Sequence, residues 1–174
     1  MDNKVDPTPL TCQAAEPAAD RLHRLELAVQ CADEGLTRWQ AECFAQVSNL
    51  PLAGAEITLL LLIGNGGQSK TIKELARSTN RVDIPNIQYS LRKLAAAGLT
   101  RKQGAGRSGV TYSLTDDGCR VAERMQAKRE RLLERVLAGR PGLAGQLDSA
   151  ADALEQLSEL YESALREADT QRQL

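Results

Sequence analysis

Between Thr71 and Gly118 the chain carries start and stop signals for two short helices in immediate succession, then two brief strand-like runs around a glycine-rich tip. Few folds accommodate that order. Thr71 followed three residues later by Glu74 is a capping box, in which each side chain satisfies a backbone N–H that the first helical turn leaves unpaired. A helix therefore starts at Ile72, with Ile72, Leu75 and Ala76 as its apolar stripe. Ser78, Thr79 and Asn80 favour its end, because their side chains compete for backbone hydrogen bonds. Asp83 reads as the N-cap of a second helix, and Pro85 in its first turn loses no hydrogen bond there. Gly98 supplies the left-handed position that commonly ends a helix. Leu99–Gln103 and Val110–Leu114 then read as a hairpin whose loose tip runs from Gly104 to Gly109.

The second helix has two faces of different chemistry. Ile87, Leu91 and Leu94 fall together at about 100° per residue and point into a core. Pro85, Tyr89, Arg92 and Ala96 fall opposite, flanked by Asn86, Gln88 and Lys93. That outward face suits a major groove: Asn and Gln pair with adenine, Arg and Lys with guanine, and any of them reaches phosphate. The plainer alternative is a solvated helix face. Helix, turn, helix and hairpin in this order make a winged helix, whose wing reaches phosphates or the minor groove. Arg107 at the tip is the natural minor-groove residue, against the alternative of a loop arginine in water. Thr71 at the start of the first helix, with Arg101 and Lys102 on the first hairpin run, completes the candidate contacts.

These residues resemble a known family. Leu52, Glu74-Leu75-Ala76, Pro85, Leu91 to Leu94, Gly98-Leu99 and Leu114-Thr115-Asp116-Asp117-Gly118, in that order, look like the MarR (multiple antibiotic resistance regulator) family of bacterial transcription factors. The similarity covers roughly Leu52 to Leu137. One departure is visible: wings of that family usually carry an aspartate shortly before the tip arginine, and here Gly104, Ala105 and Gly106 precede Arg107. The resemblance implies a homodimer in which the first helix and the last two intertwine with those of a second subunit. Two reading heads related by a dyad imply a roughly palindromic site, with half-sites about one turn of duplex apart.

Charge supports the same placement. The net charge is −1, which on its face disfavours a polyanionic partner. Yet Gln68 to Arg107 holds nine Lys and Arg against Glu74 and Asp83, a local +7 that leaves −8 for the rest. Basic charge sits on the reading head and acidic charge away from it. Trp39, Phe44, Tyr89, Tyr112 and Tyr161 are the only aromatics, too few for the stacking surface that single strands or RNA require, so duplex DNA is the better target.

Along the chain, residues 1–19 hold Pro7, Pro9 and Pro17 and read as a flexible arm. Residues 20–51 read as an N-terminal dimerisation helix, striped by Leu22, Leu25, Val29, Ala32, Leu36, Trp39, Cys43, Phe44 and Val47. Residues 52–115 form the winged helix core. Residues 116–174 supply two further helices, the last from Leu143 to Ala168 with a seam of Leu147, Ala150, Leu154, Leu157, Tyr161, Ala164 and Ala168. The fold class is thus mainly α with a small β-hairpin wing, and Leu25, Val29, Leu36, Leu147, Leu154, Leu157 and Tyr161 are the candidate dimer contacts. A competing reading lies in Gly64 to Thr71, one residue short of a phosphate-cradling loop because Ser69 stands where that loop needs glycine. Nothing after Leu99 supplies the parallel strands such a fold requires.

Cys12, Cys31, Cys43 and Cys119 lack metal-ligand spacing, His23 is the only histidine, and no triad or paired carboxylates predict an enzyme, a cofactor or a metal. With no basic-then-apolar leader and no run of about twenty apolar residues, a cytoplasmic protein is expected. The expected function is a homodimeric duplex-binding regulator, a repressor in preference to an activator. An effector of unidentified chemistry would act from the cleft between dimer helices and reading heads. The alternatives are a winged helix used as a protein-interaction module and, as the resemblance implies from relatives that sense oxidants through a cysteine near the first helix, a redox-sensing regulator using Cys12 or Cys31.

Overall fold

The run Ile57 to Ile63 has no polar face, and the fold places it at the centre. In the computed structural model, which describes residues 18–104 and 109–172, this run forms most of helix α2 (Gly54–Gly64), with Ile57, Leu59, Leu60 and Ile63 fully buried. The end of a long helix α1 (Ala18–Ala45) covers it through Cys43 and Phe44. From the other sides come Leu75 of α3 (Ile72–Ser78), Ile87, Leu91 and Leu94 of α4 (Ile84–Ala96), and Val121 and Met125 of α5 (Asp116–Ala138). The inward stripe expected for the second reading-head helix is the one observed.

The caps form as the sequence dictates. Thr71 Oγ1 accepts from the Glu74 N–H at 3.2 Å, while Glu74 Oε2 accepts from the Thr71 N–H at 2.6 Å. Asp83 caps α4 by accepting from the Asn86 N–H at 3.2 Å. Gly98 carries the positive φ of 74° that ends α4. Thr115 caps α5, accepting from the Gly118 N–H at 3.0 Å and donating to the Gly98 carbonyl at 2.6 Å, so one side chain ties the end of α4 to the start of α5.

The structure adds to one expectation, corrects a second and removes the competing nucleotide reading. The two expected wing strands pair, and a third joins them: β1 (Lys70–Thr71), β2 (Thr100–Gln103) and β3 (Thr111–Leu114) form an antiparallel sheet in the order β1-β3-β2, with Lys70 opposite Tyr112 and Lys102 also opposite Tyr112. β1 is two residues long, too short for any periodicity, and exists only because β3 offers it an edge. Next, the last helix does not begin at Leu143. Pro141–Ala144 closes a separate turn of helix, α6, and α7 runs from Leu147 to Arg172. Finally, the segment before Gly64 is helical and the sheet antiparallel, whereas a phosphate-cradling loop needs a strand before it and a helix after it. The nucleotide reading therefore has no scaffold.

Candidate nucleic-acid interface

Helix α4 presents its outward face as the periodicity requires. Pro85, Asn86, Gln88, Tyr89 and Arg92 are all exposed, Tyr89 by 54 %. Among the described residues, the side chains of Gln88 and Arg92 make no hydrogen bond or ion pair with the rest of the chain, so their polar ends are free for a ligand. Asn86 is partly committed, because its amide donates to Asp83 Oδ2. Thr71 is more so: besides capping α3, its hydroxyl donates to Glu74 Oε2 at 2.8 Å. Those bonds, the backbone one first, hold the Glu74 carboxyl below its ordinary pKa.

The wing brings Arg101 and Lys102 to the surface on neighbouring positions of β2. Successive strand residues point to opposite faces, so the two serve different sides of the sheet. Arg101 Nε donates to Ser113 Oγ of its directly opposed partner at 3.1 Å, and Lys102 stands opposite Tyr112. Arg107, assigned to the minor groove, lies outside the described residues, as do Cys12 and the N-terminal arm through residue 17.

Lys93 departs from its expected role as a free cation on the groove face. Its Nζ lies 3.1 Å from Oε2 of Glu56, a carboxylate in the first turn of α2 that is only 3 % exposed. Glu56 also accepts from the Ala53 N–H at 2.9 Å and from Ser90 Oγ at 3.0 Å. Sequence reading missed this carboxylate, although one signal pointed to it: a single acid heading a run that is apolar but for Thr58 must find partners once buried. Burial alone would raise its pKa, but the Ala53 N–H, Lys93 and Ser90 outweigh burial and hold it below the ordinary carboxylate value.

A pH dependence follows from that sign. A depressed folded-state pKa contributes stability that is present above the unfolded pKa and lost as pH falls through the folded one. Wild type should therefore lose urea resistance below about pH 4.3 more steeply than Glu56→Gln, which has no carboxyl to protonate at that position. Parallel acid profiles for the two proteins would contradict the assignment.

The flanking helices differ from the core. α7 buries none of its residues, and Leu147, Leu154, Leu160 and Leu165 are exposed along it, as are Leu25, Leu27 and Leu36 along α1. Val29 and Leu157 are half-buried. Tyr161, expected at a dimer contact, donates its hydroxyl to Glu26 Oε1 of its own α1 at 2.7 Å, and that bond holds the phenol above its ordinary pKa. His23 is exposed with Nδ1 3.9 Å from Glu26. Cys31 and Cys119 are exposed and Cys43 is buried. On α5 the basic side is not wholly solvated, since the Arg129 guanidinium stands 5.7 Å from the Trp39 ring centre. Among the described residues no helix is long and apolar enough to cross a membrane, and no group of three metal-ligating side chains is present.

Comparison with known proteins agrees with this geometry. Residues 52–118 match the family model for a winged helix DNA-binding domain. Among solved structures, NMB1585, a MarR family regulator from Neisseria meningitidis, is similar at 19 % identity and a TM-score of 0.64, over 83 % of this chain and 97 % of that one. FabT from Streptococcus pneumoniae, solved in complex with DNA, is similar at 14 % identity and a TM-score of 0.61, over 80 % of this chain and 99 % of that one. CouR from Rhodococcus jostii RHA1, bound to p-coumaroyl-CoA, is similar at 13 % identity and a TM-score of 0.62, over 77 % of this chain and 91 % of that one. None of the curated proteins matches the chain in sequence. Residues 52–118 thus match a winged helix DNA-binding domain, and with its long flanking helices the chain shares the fold of the MarR family regulator NMB1585.

Proposed function

We propose that the chain is a sequence-specific, duplex-binding transcriptional regulator that works as a homodimer on a roughly palindromic site, repressing by occupying a promoter. The observation that carries this reading is the outward face of α4: side chains with unused polar ends stand exposed on a rigid helix, inside a segment of local charge +7. Pro85, Asn86, Gln88, Tyr89 and Arg92 would meet base edges and backbone, with Arg101, Lys102 and Arg107 of the wing and the N-terminal end of α3 at Thr71 reaching phosphates. The fold shared with FabT, which was solved on DNA, supports the same docking. The protein would work in the cytoplasm.

Dimerisation is supported by the apolar faces of α1 and α7, which a single chain leaves uncovered. Leu25, Val29, Leu36, Leu147, Leu154, Leu157 and Tyr161 would lie at or beside that contact. An effector is supported by a cavity of about 660 Å³ between α2 and α5, lined in part by Gln40, Thr58, Gln126 and Arg129, and by the ligand-bound state of CouR.

Selection of duplexes from a random pool, followed by anisotropy titration across a salt series, tests the reading. Enrichment of a two-fold related sequence is expected, with log affinity falling linearly in log salt. Enrichment of nothing, in a protein that is folded, leaves a protein-interaction module as the better account. Leu154→Glu should shift the sedimentation of the protein toward monomer and weaken the selected duplex about a hundredfold, because two linked reading heads gain at least that much over one. An unchanged dimer would place the contact elsewhere.

A further inference from the structure

A chain of contacts runs from the core to the exposed face of α4. Glu56 sits at its buried end and fixes Lys93 Nζ at 3.1 Å. That ammonium in turn stands 5.8 Å from the centre of the Tyr89 ring, one helical turn back on the same helix. Ser90, 3 % exposed, ties the intervening position to the same carboxylate. Three side chains of one helical turn are therefore referred to one group on α2.

Stability alone gives little reason for such an arrangement. Taking the carboxylate out of water costs about as much as its attraction to the half-exposed ammonium returns, and apolar residues often serve as well at such a position. What the ion pair does provide is direction. A lysine at this place on a reading helix would otherwise be a mobile cation beside the duplex, and the tyrosine one turn away would be free to rotate about its first side-chain torsion.

We infer that Glu56 is a positioning residue for DNA recognition: acting through Lys93, it fixes the Tyr89 ring on the groove face and keeps the Lys93 charge out of the set that neutralises phosphate. The inference rests on the duplex-binding reading, yet half of it is visible without DNA. Glu56→Gln keeps its one amide oxygen as acceptor for the Ala53 N–H, turns its NH2 to the Ser90 hydroxyl, which can accept, and removes the charge that holds the lysine, and Lys93→Met removes the cation while keeping its length.

In free protein, both substitutions should shift the ring resonances of Tyr89 while leaving those of Tyr161 in place. On the duplex selected by wild type, Glu56→Gln should steepen the salt slope by about one per reading head, because a freed lysine adds a phosphate contact. Lys93→Met should leave the slope unchanged. The ratio of affinity for the selected duplex over a scrambled one should fall about fivefold or more in both, the low end of what one base contact discriminates. If Lys93→Met flattens the slope by about one, the lysine is itself a phosphate contact and the inference is overturned. Tyr89 resonances that ignore both substitutions overturn it too. A wild type that selects no duplex removes the DNA reading instead, and the double substitution Glu56→Gln with Lys93→Met, which leaves no unpaired charge, distinguishes lost positioning from lost folding.

Discussion

Gly118→Ala should destabilise the protein by about 3 kcal/mol or more, lowering the melting temperature by roughly 6–12 °C in a domain of this size. Gly118 lies in the first turn of α5 and is buried. A Cβ at that position would be driven into the backbone carbonyl of Leu99 and would also crowd Leu114 Cβ, 3.3 Å away. A flexible side chain could swing aside, but a backbone carbonyl cannot. This one is held further, because Leu99 O accepts from the Thr115 N–H at 3.0 Å and Leu99 itself is 2 % exposed in the core. Relief would require α5 to withdraw from the α4–β2 junction, undoing the Thr115 bonds to the Gly98 and Leu99 carbonyls. Gly35→Ala is the natural control: it sits in α1 with an open surrounding and no positive φ, so alanine should stabilise by about 0.5–1 kcal/mol. Equal melting of Gly118→Ala and wild type would show that the α5 approach is looser than the geometry requires.

How much of this was readable beforehand depends on the distance over which each feature is determined. The Thr71–Glu74 and Asp83–Asn86 caps span three residues each, and both follow from side chains whose oxygen reaches only the nearest orphan N–H. The inward stripe of α4 was legible for the same reason, since 3.6-residue periodicity is a local property. Glu56 and Ser90 are 34 positions apart, and no local pattern pairs them. Reading Lys93 as a groove cation was correct in angle, because it does lie beside Tyr89. The contact it makes within the chain was not legible, because the side chain is long enough to curl back to a buried acid that the sequence left without a partner. β1 was invisible because it is defined by β3, some forty residues on. The α6 break fell where Pro141 and Gly142 announced one, but Leu143 continued the apolar spacing of α7 and so concealed where the last helix begins.

The combined substitution of Arg92, Arg101 and Lys102 by alanine should weaken the selected duplex by about a thousandfold per reading head while leaving the fold intact. None of the three is buried and none forms an ion pair among the described residues, so their removal strands no charge in the protein. The one internal bond lost is from Arg101 to Ser113, an exposed pair whose oxygen water can satisfy. A charge-assisted hydrogen bond to phosphate contributes at least about 1.5 kcal/mol, or roughly tenfold in affinity, for each side chain. The salt slope supplies a second and independent number: it should flatten by about 0.9 for each phosphate that loses its cation, hence by nearly three per head. These readouts separate the parts of the interface. Gln88→Ala, which removes a base-reading amide and no charge, should lower discrimination between selected and scrambled duplex by about 1–3 kcal/mol and leave the slope where it was. A triple variant that keeps the wild-type slope would mean that this surface does not meet phosphate, and the winged helix would then have to face its partner by some other side.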